Sequence, residues 1–177
     1  MQASDELPKE LPCDLMLLDV MGPFPNLYIH QNKYILTLHN HASTFVFCFP
    51  IKTRDQVPKI LADTLHLIRS VFKDSVKFLQ SNNAKEYSVQ SFRIMLTNMG
   101  TQQLFTGPCT PEQNGEAEQL NRTLGDSERK ILRASGLPLI FWLYAYKCAA
   151  YIHNMIPNSQ SGDQGITLRG KLLVSLF

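Results

Sequence analysis

The stretch LMLLDVMGPF, Leu15–Phe24, is an apolar run with one carboxylate in its middle and a Gly-Pro turn at its end. It reads as a strand over Leu15–Gly22, and Asp19 inside it is costly unless the carboxylate has a partner or a task. Two further strands follow closely, Lys33–His39 (KYILTLH) and Thr44–Pro50 (TFVFCFP), rich in β-branched and aromatic residues. Pro23, Pro25 and Asn26 punctuate the first connection, and Asn40–His41 reads as a hairpin turn. Over Asp55–Ser70 the period lengthens to that of a helix, carried by Ile60, Leu61, Thr64, Leu65 and Ile68. Thr53 and Gln56 stand at capping-box spacing, and Pro58 falls in the first turn, where a helix tolerates it.

A fourth strand is expected at Val76–Gln80, a helix over Val89–Asn98 capped by Ser88, and a short fifth strand at Gln102–Thr106. The segment TGPCTPEQNG, Thr106–Gly115, is rich in turn formers and reads as a poorly ordered loop. It leads into a long helix that reaches about Ser135 and stops at Gly136, and Pro138 opens another helix to Ile156. The order β-β-β-α-β-α-β-α-α implies an α/β fold, a five-stranded mixed sheet flanked by helices. Residues 1–11 form a polar lead-in, 12–157 the core, and 158–177 an irregular extension.

The chain has 177 residues, 44% of them hydrophobic and 18% charged, enough for one core and too little charge for a disordered tail. Lys and Arg number 17 against 15 Asp and Glu, a formal net charge of +2 that permits a nucleic-acid partner without demanding one. Cys13, Cys48, Cys109 and Cys148 are scattered and form no C-x-x-C pair, which speaks against a structural zinc site and a disulfide framework. The polar, acidic start MQASDELPKELPCD is not a signal peptide. Lys147 and His153 interrupt the apolar stretch Leu137–Ile156, so no clean membrane span is expected. The expectation is a soluble protein of a reducing compartment, with no membrane partner.

Three positions carry the chemistry. Asp19 lies in the first strand, Asn82 directly follows the fourth in LQSNNAKEY, and Glu118 stands near the start of the long helix in TPEQNGEAEQLNRTL. Thirty-five residues separate Asn82 from Glu118. On that helix Ala117, Leu120, Leu124 and Ile131 form the apolar stripe, which puts Glu118, Arg122, Gly125 and Arg129 on an adjacent face. Each has a plainer reading. A strand aspartate can satisfy a turn, Asn-Asn after a strand is ordinary turn chemistry, and a helical glutamate can simply be solvated. The same holds for Lys85, Arg122, Arg129 and Lys130 taken singly, while His39 and His41 suit a structural or exposed role better than a metal. Asn121-Arg-Thr123 matches a glycosylation sequon, but its mid-helix position argues against that use.

Together these motifs resemble the integrase catalytic core of retroviruses and long-terminal-repeat retrotransposons, closest to the copia type. Asp19 in DVMGPF matches that family's D-x-x-G-P-F strand, and SNNAKEY matches its S-D-N-G-x-E-[FY] segment. PEQNGEAEQLNRT matches P-x-x-N-G-x-A-E-R-x-N-R-T, and LPLIFWLYAYKCAAYIHNMIP matches its Leu-Pro, Phe-Trp and alanine-rich helix. The resemblance covers about residues 12 to 160. It implies an RNase H-like fold with Asp19 mid-strand on a central strand and position 82 at the end of its neighbour. It also implies two-metal phosphoryl transfer, with Asp19, Asn82 and Glu118 as catalytic and metal positions for Mg²⁺ or Mn²⁺. Lys85, Asn114, Gln119, Arg122, Arg129 and Lys130 become DNA-contact candidates. The implied partners are element-end and target DNA and further copies of the chain, in a nucleus or virus-like particle.

The chain departs from the pattern in telling places. Asn82 stands where the family has its second aspartate, Gln119 where it has arginine, Glu116 where it has a usually apolar residue, and Met155 where it has another arginine. An amide at position 82 keeps a carbonyl oxygen but takes the side-chain charge of the triad from −3 to −2. One unit-charge pair about 4 Å apart is worth roughly 4 kcal/mol at an effective dielectric near 20. A transition-state loss of about 4 kcal/mol is roughly a thousandfold in rate. The expectation is a crippled catalyst. The alternatives are a degenerate module that binds nucleic acid or oligomerises without chemistry, and another RNase H-like nuclease on the same fold.

Overall fold

The computed structural model describes residues 14–24, 31–73, 75–81, 90–105 and 111–156. Five strands form one sheet in the order β3-β2-β1-β4-β5. They are β1 (Leu15–Met21), β2 (Tyr34–Asn40), β3 (Val46–Ile51), β4 (Phe78–Ser81) and β5 (Gln102–Phe105). The first three pair antiparallel, whereas β4 and β5 run parallel to β1. Helices α1 (Val57–Phe72) and α2 (Gln90–Asn98) supply the parallel connections, and α3 (Pro111–Ser135) and α4 (Trp142–Met155) follow the last strand.

Because side chains alternate along a strand, the sheet has two different faces. Met16, Leu18, Leu36, Leu38 and Leu79 pack into one cluster with Leu61, Leu65 and Ile68 of α1 and Phe92 and Leu96 of α2. Ile35 and Val46 pack on the other face with Leu120 and Leu124 of α3 and Leu143, Ala149 and Ala150 of α4. Leu15 and Leu17 meet Ala117 beside them. Each such buried Leu, Ile or Phe contributes roughly 1.5–3 kcal/mol relative to exposure, so both layers are fixed to the sheet. The element order and the five-stranded mixed sheet agree with the sequence.

Several boundaries differ, each for a local reason. The turn after β2 is longer than a two-residue hairpin. The Asn40 side-chain oxygen accepts from the Ser43 amide and hydroxyl, both at 2.8 Å, and Thr44 takes a left-handed φ of 56°. This Asx-type turn delays β3 until Val46. Before α1, a 3₁₀ turn over Arg54–Gln56 takes up the cap, with Gln56 Oε1 accepting from the Lys52 and Thr53 amides. Val76 precedes β4 rather than starting it, and its carbonyl accepts from Thr101 Oγ1 at 2.7 Å.

The largest correction concerns Thr106–Gly115. Residues 106–110 lie outside the described residues, but α3 already begins at Pro111, so 111–115 are helix and not loop. Proline suits a first helical position, and Gly115 weakens a helix interior by about 1 kcal/mol without stopping it. At the end of β1, Gly22 is required. Its φ is +116°, and a Cβ there would stand 2.6 Å from the Lys33 carbonyl oxygen.

Candidate metal and nucleic-acid site

Asp19 sits on β1, the central strand, with its Cα opposite Thr37 of β2. The last β1–β4 pair is Leu18 with Ser81, so Asp19 lies one residue beyond the parallel ladder. Its Oδ2 accepts a 2.7 Å hydrogen bond from the Asn121 side chain on α3. Asn121 is buried, and its own oxygen accepts from Thr37 Oγ1 at 3.1 Å and from the Tyr146 hydroxyl at 3.3 Å. One amide therefore joins β1, β2, α3 and α4. It leaves the carboxylate oriented, since both ends of the amide are committed.

Burial pushes the Asp19 carboxyl above its ordinary value, the Val20 amide and Asn121 oppose that rise, and the Glu118 charge adds to it. Arg54 opposes it weakly. Glu118 projects from the exposed side of α3. The Glu118 charge thus reaches Asp19 despite their separation in sequence, as a minor influence beside burial. Burial also drives the Tyr146 phenol upward, with the Cys48, Asp19 and Glu128 charges adding, so it stays a neutral donor to Asn121. Behind Asn121 the two helices leave a cavity of about 440 Å³ bordered by Phe24, Arg122, Trp142 and Tyr146. Phe24 and Trp142 pack there with ring centroids 4.5 Å apart.

The other sequence candidates fall out unevenly. Asn82 and Lys85 lie outside the described residues, as does the side chain of Asn114, whose backbone is helical. Gln119, Arg122, Arg129 and Lys130 are all exposed on α3, and Arg129 pairs with Asp126 on the same helix. The expected stripe of Ala117, Leu120 and Leu124 is buried, but Ile131 is only partly so, and Leu132 takes the deeper place. Sequence reasoning missed Asn121, Thr37 and Tyr146. Asn121 falls within the apolar arc of α3, and a polar residue there signals a buried partner. Glu116 also turns inward, with Oε2 2.6 Å from His41 Nδ1 and Oε1 3.7 Å from His39 Nδ1. Among the described residues no three His, Cys, Asp or Glu side chains are placed to share a metal ion.

A mixed five-stranded sheet with α1 and α2 on one face and α3 and α4 on the other is the arrangement of the RNase H-like α/β fold. A cryo-EM structure titled as a simian T-cell lymphotropic virus intasome in complex with PP2A regulatory subunit B56 gamma shares this fold. Its TM-score is 0.64 at 18% identity, over 82% of this chain and 50% of that one. No family model matches the chain. It is 34% identical over 145 residues to the "Retrovirus-related Pol polyprotein from transposon TNT 1-94" of Nicotiana tabacum, covering 82% of this chain and 11% of the relative. It is 27% identical over 152 residues to the "Transposon Ty1-DR6 Gag-Pol polyprotein" of Saccharomyces cerevisiae, covering 85% of this chain and 9% of the relative. The chain belongs to the copia-type retrotransposon Pol family and corresponds to its integrase-like region. It spans about a tenth of the length of these curated relatives. None of the described helices is long and apolar enough to cross a membrane.

Proposed function

We propose that the chain is a DNA-integration core whose metal site has lost its middle carboxylate. The observation that carries this reading is the placement of Asp19, one residue beyond the parallel ladder and oriented by the Asn121 amide, on the face of the sheet that α3 covers with Glu118. The two carboxylates suit Mg²⁺ or Mn²⁺, which prefer hard, anionic oxygen ligands. Bound there, such ions supply a deprotonated nucleophile and charge stabilisation at the leaving oxygen of a phosphodiester. Asp19 is held for ligation by Asn121, and Glu118 faces outward where a DNA backbone can approach. The family resemblance assigns the third ligand to position 82, next in sequence after the Ser81 end of β4, where this chain has an amide in place of the carboxylate. The native chain therefore has little or no strand-transfer activity. It retains DNA contact through Lys85, Asn114, Gln119, Arg122, Arg129 and Lys130, each a modest, salt-sensitive contribution.

Self-association is part of this reading. Of nine exposed large hydrophobic residues among those described, eight lie in 137–156, including Tyr144, Tyr151, Ile152 and Met155 on α4. A patch so concentrated marks an interaction surface, and a second copy is the partner that covers it. As a retrotransposon integrase-like region, the chain works in the nucleus or a virus-like particle.

The test is disintegration of a branched DNA substrate with Mg²⁺ and with Mn²⁺, comparing the native chain, Asn82→Asp, and Asn82→Asp with Glu118→Gln. The native chain should stay near background, Asn82→Asp should rise by an order of magnitude or more, and the added Glu118→Gln should abolish the gain. A native chain as active as Asn82→Asp, well above background, would overturn the assignment of position 82.

A further inference from the structure

Glu116 replaces an apolar residue of the motif two positions before Glu118, and the fold gives it partners that motif does not provide. Its carboxylate reaches back to the end of β2, 2.6 Å from His41 Nδ1 and 3.7 Å from the Nδ1 of buried His39. Five residues later Asn121 grips β1 and β2 through Asp19 and Thr37. Two side chains of one helix therefore hold β2 and the turn that follows it. At about 100° per residue, Glu116 and Glu118 lie on opposite flanks of the stripe formed by Ala117, Leu120 and Leu124. Glu116 holds the β2 flank down, and Glu118 emerges on the other.

We infer that Glu116, with His41 and His39, sets the roll of α3 and so positions Glu118 against Asp19. Asn121 orients α3 at one point, but the apolar contacts of the helix carry little direction, which leaves its first turns some freedom to roll. A charged hydrogen bond on one flank removes that freedom. With side-chain tips roughly 5–6 Å from the helix axis, a roll of about 10° moves a carboxylate by about 1 Å. Errors of that size matter at a catalytic centre. Glu116 and His41 thus act as positioning residues, through α3. The inference rests on the reading of Asp19 and Glu118 as a metal pair, so its test has one arm that does not.

The first arm is amide hydrogen exchange on the native chain and on Glu116→Ala, Glu116→Gln and His41→Ala. Glu116→Ala and His41→Ala should speed exchange of the hydrogen-bonded α3 amides in 115–121 about tenfold while α1 amides hold. Glu116→Gln, which still accepts from the imidazole, should restore most of the protection. The second arm measures Mn²⁺ affinity by calorimetry in the Asn82→Asp background. Supporting partners of metal ligands typically contribute 10–100-fold to affinity, so Glu116→Ala should weaken binding about tenfold. Adding His41→Ala should cost no more, because both remove one contact. Unchanged exchange in α3, or faster exchange spread evenly over the whole domain, overturns the positioning role. If Asn82→Asp binds no Mn²⁺, the metal reading fails and the exchange arm alone decides whether the clamp exists.

Discussion

The two faces of the sheet are built from the same strands but not from the same chemistry. On the α1/α2 face β2 presents Leu36 and Leu38 to a mainly hydrocarbon and aromatic cluster, with the Asn40 amide, bonded to Met16 Sδ, at its end. On the α3/α4 face it presents Ile35, Thr37 and His39, which meet Asn121 and Glu116. The polar seam continues at the edge strand, where the Asn154 amide bonds both the Val46 N–H and its carbonyl, at 2.9 and 2.8 Å. The first face secures the fold. The second spends burial on hydrogen-bonded polar groups, which add little net stability but fix orientation. Function is expected where orientation matters more than stability, and Asp19 lies on that face.

That contrast can be broken most forcefully on the apolar side. Phe45→Ala, at a fully buried position, should cost about 3–5 kcal/mol of unfolding free energy in a urea titration. The same experiment on Asn121→Leu should give about 1–3 kcal/mol, from leaving the Asp19, Thr37 and Tyr146 oxygens without their shared partner. If Asn121→Leu proves the more damaging, the polar face is the main source of stability and the division is wrong.

Asp19→Asn should act in the opposite direction. Burial and Glu118 raise the Asp19 carboxyl in the folded state, so its charged form opposes folding at neutral pH. Lowering the pH through that raised value toward the ordinary 3.8 protonates it and returns stability. Removing the charge should raise the melting temperature of the metal-free chain by about a few degrees and abolish that acid-side gain. A lower melting temperature for Asp19→Asn at pH 7 would show the carboxylate to be structural.

The apolar face was readable because its signal is periodic. Met16, Leu18, Leu36, Leu38, Leu61, Leu65 and Ile68 announce strand and helix directly, and the sheet order follows from the connections. Asp19 stood out as a charge in an apolar run, and Glu118 through its motif. Asn121 did not, since an amide on a helix is unremarkable until its partners, 84 and 102 residues away, are known. Glu116 reads in sequence as a surface change. Only the docking of α3 on β2 shows it facing two histidines 75 and 77 residues earlier. The start of α3 at Pro111 was hidden by turn formers that a helix also accepts in its first turns.

The proposed metal site joins Asp19 and Glu118 to a third position, 82, where the chain has an amide in place of a carboxylate. Mn²⁺-dependent thermal stabilisation measures this without requiring DNA or further domains. Asn82→Asp should gain a saturable stabilisation, about 2.7 kcal/mol at a hundredfold excess over Kd, that the native chain lacks and that Asp19→Asn removes. Equal stabilisation of the native chain and Asn82→Asp, or a gain that survives Asp19→Asn, would contradict it.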